Sequence, residues 1–304
     1  MHRNQRQKLV VIVGPTASGK SDLGIFLARK FGGEIISADS RQVYKKMDIG
    51  TGKVTKREQK MAKHYLIDIA NPQKVFTVSD FKKLGEKLIQ EILNKNKIPF
   101  IVGGTGFYID ALIKGISLPE IPPDKKLRAE LAKQRAEQLF SQLLALDPRR
   151  AKTIDPQNKR RLIRALEILK TTGKPIPPLK TSDKYDVLNL GISWPKEILK
   201  KRIKLRLNKR LKQGMIKEVK DLLARGVSKK RLHDLGLEYR WVGEYLSGKI
   251  NYTEMKNDLY KAIVKYSKRQ MTWFKRNKEI HWVSPPAGGQ KEAEKLIRKF
   301  ISPL

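Results

Sequence analysis

The 304-residue sequence contains no cysteine, which excludes disulfides, thiolate metal sites and thiol redox chemistry. Its four histidines stand at scattered positions and offer no ligand spacing for zinc. Long apolar runs are also missing. The basic stretch MHRNQRQKLVVIVG reaches only five apolar residues in a row before its glycine, too few for a signal or membrane-spanning segment. A cytoplasmic protein with no membrane partner is expected. Acidic residues are scarce, with 30 Asp plus Glu against 66 Lys plus Arg and a net charge of +36. That surplus goes far beyond what solubility requires and points to a polyanionic partner, the plainer alternative being a lysine-rich solvated surface. At 39% hydrophobic residues, the chain can bury the core of one large domain or two linked ones.

Leu9 to Val13 form a continuous apolar run bounded by glycine, as a buried parallel strand does. Gly14, Pro15, Thr16, Ala17, Ser18, Gly19, Lys20 and Ser21 then match G-x-x-x-x-G-K-[ST] in full. The glycines let backbone N–H groups curl inward, and a helix starting near Lys20 adds the positive end of its dipole to the same spot. Lys20 supplies a mobile positive charge, and the Ser21 hydroxyl is suited to hold Mg²⁺. Leu23, Phe26, Leu27 and Phe31 continue at helical spacing, so strand, loop and helix follow in the required order.

A triphosphate-splitting enzyme normally adds a second acid at the end of another buried strand. The candidate strand, IPFIV at 98–102, ends instead in Gly103-Gly104-Thr105-Gly106 and carries no carboxylate. Asp68 in YLIDIA could serve, and is better read as a strand-end cap. EIIS at 34–37 reads as a second short strand, delivering Asp39, Ser40, Arg41 and Gln42 to its C-terminal end. In a doubly wound sheet ligands sit at those ends, so Asp39 is expected in the same crevice as the phosphate loop.

The fold expected is α/β, a P-loop NTPase-like parallel sheet core with an inserted helical domain and a helical C-terminal part. Residues 1–117 and 186–304 are assigned to the core with its C-terminal helices. Residues 118–185, bracketed by the proline-rich stretches SLPEIPP and GKPIPPLK, are assigned to the insertion. DVLNLGIS at 186–193 resumes as a strand. Residues 196–217 carry ten basic residues and one acidic residue, while Leu199, Ile203, Leu207, Leu211 and Met215 recur every fourth position as a packing stripe. NKRRLIRALEILK at 158–170 sets Arg160, Arg161 and Arg164 around a helix with an apolar face. In KYSKRQMTWFKRN, the bases Lys265, Lys268, Arg269, Lys275 and Arg276 interleave with aromatic residues, of which Trp273 and Phe274 are expected in the core.

Four blocks, GPTASGKS, SADSRQVYKKMDIGT, IPFIVGGTGFYIDAL and KRQMTWF, resemble the bacterial-type tRNA dimethylallyltransferases in order and spacing across nearly the whole chain. The resemblance implies transfer of a dimethylallyl group from its diphosphate to the exocyclic amine of the adenine 3′ of the anticodon. It implies a phosphate loop that holds the leaving diphosphate with Mg²⁺ on Ser21, and Asp39 as the base that takes the amine proton. Thr105 takes the family's position beside the reaction centre, the alternative being an ordinary helix N-cap. Arg206 takes the place of the family's diphosphate-clamping arginine. Asp39, Ser40, Arg41, Gln42, Thr105, Arg128, Lys159, Arg160, Arg161, Arg164, Lys268, Arg269 and Gln270 are expected to meet the tRNA anticodon stem-loop, with plain solvation the alternative for the arginines of the insertion. A monomer is expected. Two departures from the family pattern stand out: Arg210 replaces a common methionine, and Glu238 in LGLEYRW replaces a glycine. The rival readings are a P-loop kinase or ATPase with a nucleotide on the loop, a prenyltransferase acting on free adenine nucleotides, and an RNA-binding protein without activity.

Overall fold

Four consecutive aliphatic residues, Leu9 to Ile12, are wholly buried in the first strand of the computed structural model, β1 (Gln7–Val13). Each such side chain contributes about 2 kcal/mol by leaving water, which fixes the strand at the centre of the sheet. The structure describes residues 6–119, 121–178, 180–182, 184–284 and 287–302. The chain divides into two compact units, one of Met1–Gly115 with Ser182–Leu304 and one of Ile116–Thr181.

In the first unit β1 is followed by α1 (Lys20–Lys30), β2 (Glu34–Ala38), α2 (Lys56–Met61), β3 (His64–Tyr65), α3 (Val78–Leu93), β4 (Pro99–Gly103) and α4 (Gly106–Ile113). The second unit holds α5 (Lys125–Lys133), α6 (Ala136–Leu146), α7 (Pro148–Ala151) and α8 (Lys159–Thr172). The chain returns to the first unit with β5 (Tyr185–Ile192), α9 (Lys196–Lys212), α10 (Met215–Ala224), α11 (Lys229–Leu235), α12 (Leu237–Leu246), α13 (Tyr252–Phe274), β6 (His281–Val283) and α14 (Ala287–Ile301). The strands form one parallel sheet in the order β3-β2-β4-β1-β5-β6. Among the described residues no helix is long and apolar enough to cross a membrane.

Register, more than order, positions the site. Val13 pairs with Gly103, and Gly103 pairs with Ala38, so three strands end on one line. The chain therefore leaves the sheet side by side at Gly14, Asp39 and Gly104. Glycine is required at 103, where an added Cβ would stand 2.1 Å from the Ala38 carbonyl oxygen.

Two expectations change at this level, for the apolar stripe and for Asp68. The apolar stripe over 196–217 is not one helix: Gly214 at φ +96° separates α9 from α10, and Leu211 is only half-buried. On α9 the basic side is not wholly solvated, since Arg210 is buried with Leu199, Ile203 and Leu207. Asp68 caps no strand. It lies three residues beyond β3 at φ 57°, and its carboxylate accepts from Lys53 Nζ at 2.5 Å.

In the second unit Leu139, Leu143, Leu162 and Leu166 make a small core around a wholly buried carboxylate, Glu167. Glu167 accepts from Arg128 Nε and Nη2 (both 2.7 Å), Arg164 Nη1 (2.5 Å) and the Asp124 amide (2.8 Å). Burial pushes its pKa up, and the bonds from Arg128, Arg164 and Asp124 outweigh that and hold it below the usual carboxylate range. Glu167→Leu strands both guanidinium groups, so it should destabilise the unit by about 2 kcal/mol, less than for a fully buried pair because both arginines reach solvent. Chemical denaturation of the intact chain checks this, and an unchanged denaturation curve would contradict it.

Candidate active site

Gly19, at φ +93°, is the N-cap of α1 and provides no side chain between the loop and the helix dipole. Two of the loop's carbonyl groups are held by side chains from the β5–α9 connection and from α9. Trp194 Nε1 donates to Ser18 O at 2.9 Å, Arg202 Nε donates to Ala17 O at 2.8 Å, and the Arg202 guanidinium lies 4.6 Å from the centre of the Trp194 ring. Lys20 Nζ reaches the Pro15 carbonyl at 3.3 Å. Gln270 is buried, with its Oε1 accepting from the Thr16 amide and its Nε2 donating to Gly104 O, both at 2.9 Å. It thereby ties the phosphate loop to the glycine-rich turn after β4.

Across the sheet end, Asp39 Oδ1 accepts from the amides of Arg41 (2.8 Å) and Gln42 (3.3 Å), which closes a local turn. The second oxygen, Oδ2, has no hydrogen-bond partner among the described residues. The Thr105 hydroxyl does not cap α4. It accepts from the Ser40 amide at 3.1 Å, and the Thr105 amide donates to Ala38 O at 3.2 Å. Because its oxygen accepts there, the Thr105 proton remains free to donate to a ligand.

The electrostatics are those of an anion site. Burial, then the neighbouring Arg206, lowers the Lys20 pKa to about 8, with Asp39 pulling the other way. Burial, then Arg210, lowers Arg206 to about 10, and it stays charged at neutral pH. A bound anion favours protonated Lys20, so binding draws on a proton that the free protein loses as pH rises through 8. The KM for a diphosphate ligand should therefore be nearly flat from about pH 7 to 8 and rise by up to about tenfold per unit above it until the pKa of the complex is reached. A KM constant from pH 7 to 9.5 would contradict this.

The strip between Asp39 and Lys53 is fixed from the helical side. Glu218 on α10 accepts from the amides of Asp48 (2.7 Å), Ile49 (2.6 Å) and Gly50 (3.0 Å) and from the Tyr239 hydroxyl (2.9 Å). Arg41 Nε donates to Leu235 O at 2.7 Å.

A phosphate cradle, an acid with one free oxygen and a poised hydroxyl thus converge where three parallel strands end. The sequence profile of the family described as IPP transferase matches residues 42–277. The tRNA dimethylallyltransferase of Pelotomaculum thermopropionicum is 41% identical over 287 residues, 92% of this chain and 91% of its own. The tRNA dimethylallyltransferase 2 of Shewanella sediminis is 44% identical over 279 residues, 90% of this chain and 92% of its own. The chain belongs to the IPP transferase family. Among solved structures, the full-length tRNA isopentenylpyrophosphate transferase of Bacillus halodurans superposes with a TM-score of 0.74 at 36% identity, covering 97% of this chain and 96% of that one. A eukaryotic dimethylallyltransferase acting on tRNA gives 0.82 at 25% identity, over 97% of this chain and 79% of its own. These relatives carry the prenyltransferase reading and give no support to a P-loop kinase.

Within this IPP transferase, the residues anticipated for tRNA fall into two groups. Arg160, Arg161, Lys268 and Arg269 are exposed, Ser40 is half-buried, and Arg41 is half-buried with its guanidinium bonded to Leu235 O and to Ser40. Arg128 and Arg164 have their forks on Glu167, and Lys159 Nζ donates to Ala132 O at 2.6 Å. Gln42 and Gln270 are buried, and Gln270 is bound at both ends of its amide, so its place in the site is that of a brace. Phe274 is buried and Trp273 half-buried, with Trp273 Nε1 donating to Asp110 Oδ2 at 2.9 Å. Trp194, Arg202 and Glu218 were not legible as site residues. Each acts through a backbone group distant in sequence, and no local pattern marks such a contact.

Proposed function

We propose that this chain transfers the dimethylallyl group of dimethylallyl diphosphate to the exocyclic amine of the adenine next to the anticodon, on its 3′ side, in tRNA. The allylic C–O bond breaks and its electron pair leaves with the diphosphate. The amine nitrogen bonds the allylic carbon and gives its proton to Asp39 Oδ2. Lys20, Arg206 and the loop amides gather the charge of the departing diphosphate. Thr105 donates to the bridging oxygen, its orientation set by the Ser40 amide.

No cluster of three His, Cys, Asp or Glu stands together among the described residues. The Ser21 hydroxyl, next to Lys20 at the start of α1, would hold Mg²⁺, a hard cation that takes oxygen ligands. When bound it supplies further charge neutralisation to the diphosphate.

The observation that carries the reading is the shared line of strand ends, which brings the diphosphate cradle and a free carboxylate oxygen to one crevice. A net charge of +36 suits an RNA acceptor better than a free nucleotide. Arg161 on the insertion and, separately, Lys268 and Arg269 on α13 are exposed bases suited to tRNA phosphates, and the cytoplasm is the expected place of action. The test compares stem-loops with adenine or unsubstituted purine at the 3′-adjacent position. Diphosphate release coupled to modification is expected with adenine and none with purine. Equal release from both would contradict the assignment of the amine as acceptor.

A further inference from the structure

Arg210 lies one helical turn beyond Arg206 on α9 and is only 7% exposed. Its Nη1 is used twice, donating to Glu238 Oε1 at 3.0 Å and to Gly50 O at 3.2 Å. Its Nη2 is buried and has no hydrogen-bond partner among the described residues. A charged donor left unbonded in the interior is costly, and native structures rarely keep one without a use.

The surroundings say what kind of use. The Nη2 atoms of Arg206 and Arg210 both close on Gly52, where an added Cβ would stand 2.2 and 1.7 Å from them. Arg206 and Arg210 also line one small cavity with Thr16 and Ala17 of the phosphate loop. Two guanidinium groups in one buried cavity repel, and Glu238 offsets only one of them. The remaining charge and the orphan N–H call for an anion arriving from the loop side. Arg210 and Glu238 are also the two departures from the family pattern, and they prove to be partners. The pair thus adds a cation at the cavity together with the acid that holds its fork.

We propose that Arg210 is a second guanidinium of the diphosphate subsite, donating through Nη2 to a phosphate oxygen, with Glu238 as the counterion that orients it. The inference rests on the diphosphate-donor reading above. It predicts a firmer hold on diphosphate than Lys20 and Arg206 give alone.

Calorimetric titration of the intact protein with inorganic pyrophosphate and Mg²⁺ at fixed ionic strength tests it. The double variant Arg210→Met, Glu238→Gln removes both charges and leaves neither stranded, so the fold is kept. It should bind pyrophosphate about tenfold more weakly, the value of one charge-assisted hydrogen bond, with an unchanged KM for the stem-loop. Glu238→Gln alone should tighten binding, because the cation loses its counter-charge while keeping an acceptor. Wild-type affinity in the double variant, or weakened binding in Glu238→Gln, would overturn the inference. Wild-type protein that binds no pyrophosphate would overturn the diphosphate-donor reading itself.

Discussion

Exchanging Asp39 for asparagine should lower kcat for prenyl transfer about a thousandfold while binding of the stem-loop stays within about twofold, as expected for loss of a general base. The asparagine Oδ1 can still accept from the Arg41 and Gln42 amides, so the turn after β2 is preserved. What is lost is the proton acceptor at the second oxygen. An aromatic amine attacks poorly until its proton has somewhere to go, and an asparagine amide cannot take it. Single-turnover rates with labelled donor give the comparison, and a rate within about tenfold of wild type would place the base elsewhere.

Thr105→Val should slow the same step about a hundredfold, the usual effect of losing one preorganised donor. Valine matches the shape of threonine but removes the acceptor for the Ser40 amide and the hydroxyl proton proposed to meet the bridging oxygen. Thr105→Ser should recover most of the rate, because it restores the hydroxyl. If serine and valine behave alike, packing and not hydrogen bonding explains the position.

How much of this could be read in the sequence depended on how local each feature is. The strand, phosphate loop and α1 were legible because the motif is contiguous and its neighbours have the right periodicity. Asp39 was legible because a short apolar run delivers it to a strand end, and the register of β1, β4 and β2 then sets it beside the loop. Charge was read less well. Arg128 and Arg164 look like any exposed helical arginine until Glu167 is found between them, more than thirty residues from Arg128 in sequence. The every-fourth-residue stripe runs across Gly214 without a break, because an apolar spacing can continue from one helix to the next after a turn. Gln270 sits in a basic stretch and reads as a surface residue, yet its amide joins two loops that come together only in the folded sheet.

The most direct test of the central claim is transfer of radiolabelled dimethylallyl diphosphate to an unmodified anticodon stem-loop in the presence of Mg²⁺, with ATP as the control substrate. The account predicts label on the adenine amine, lost in Asp39→Asn, and no phosphate released from ATP. Absence of transfer together with ATP hydrolysis would contradict it.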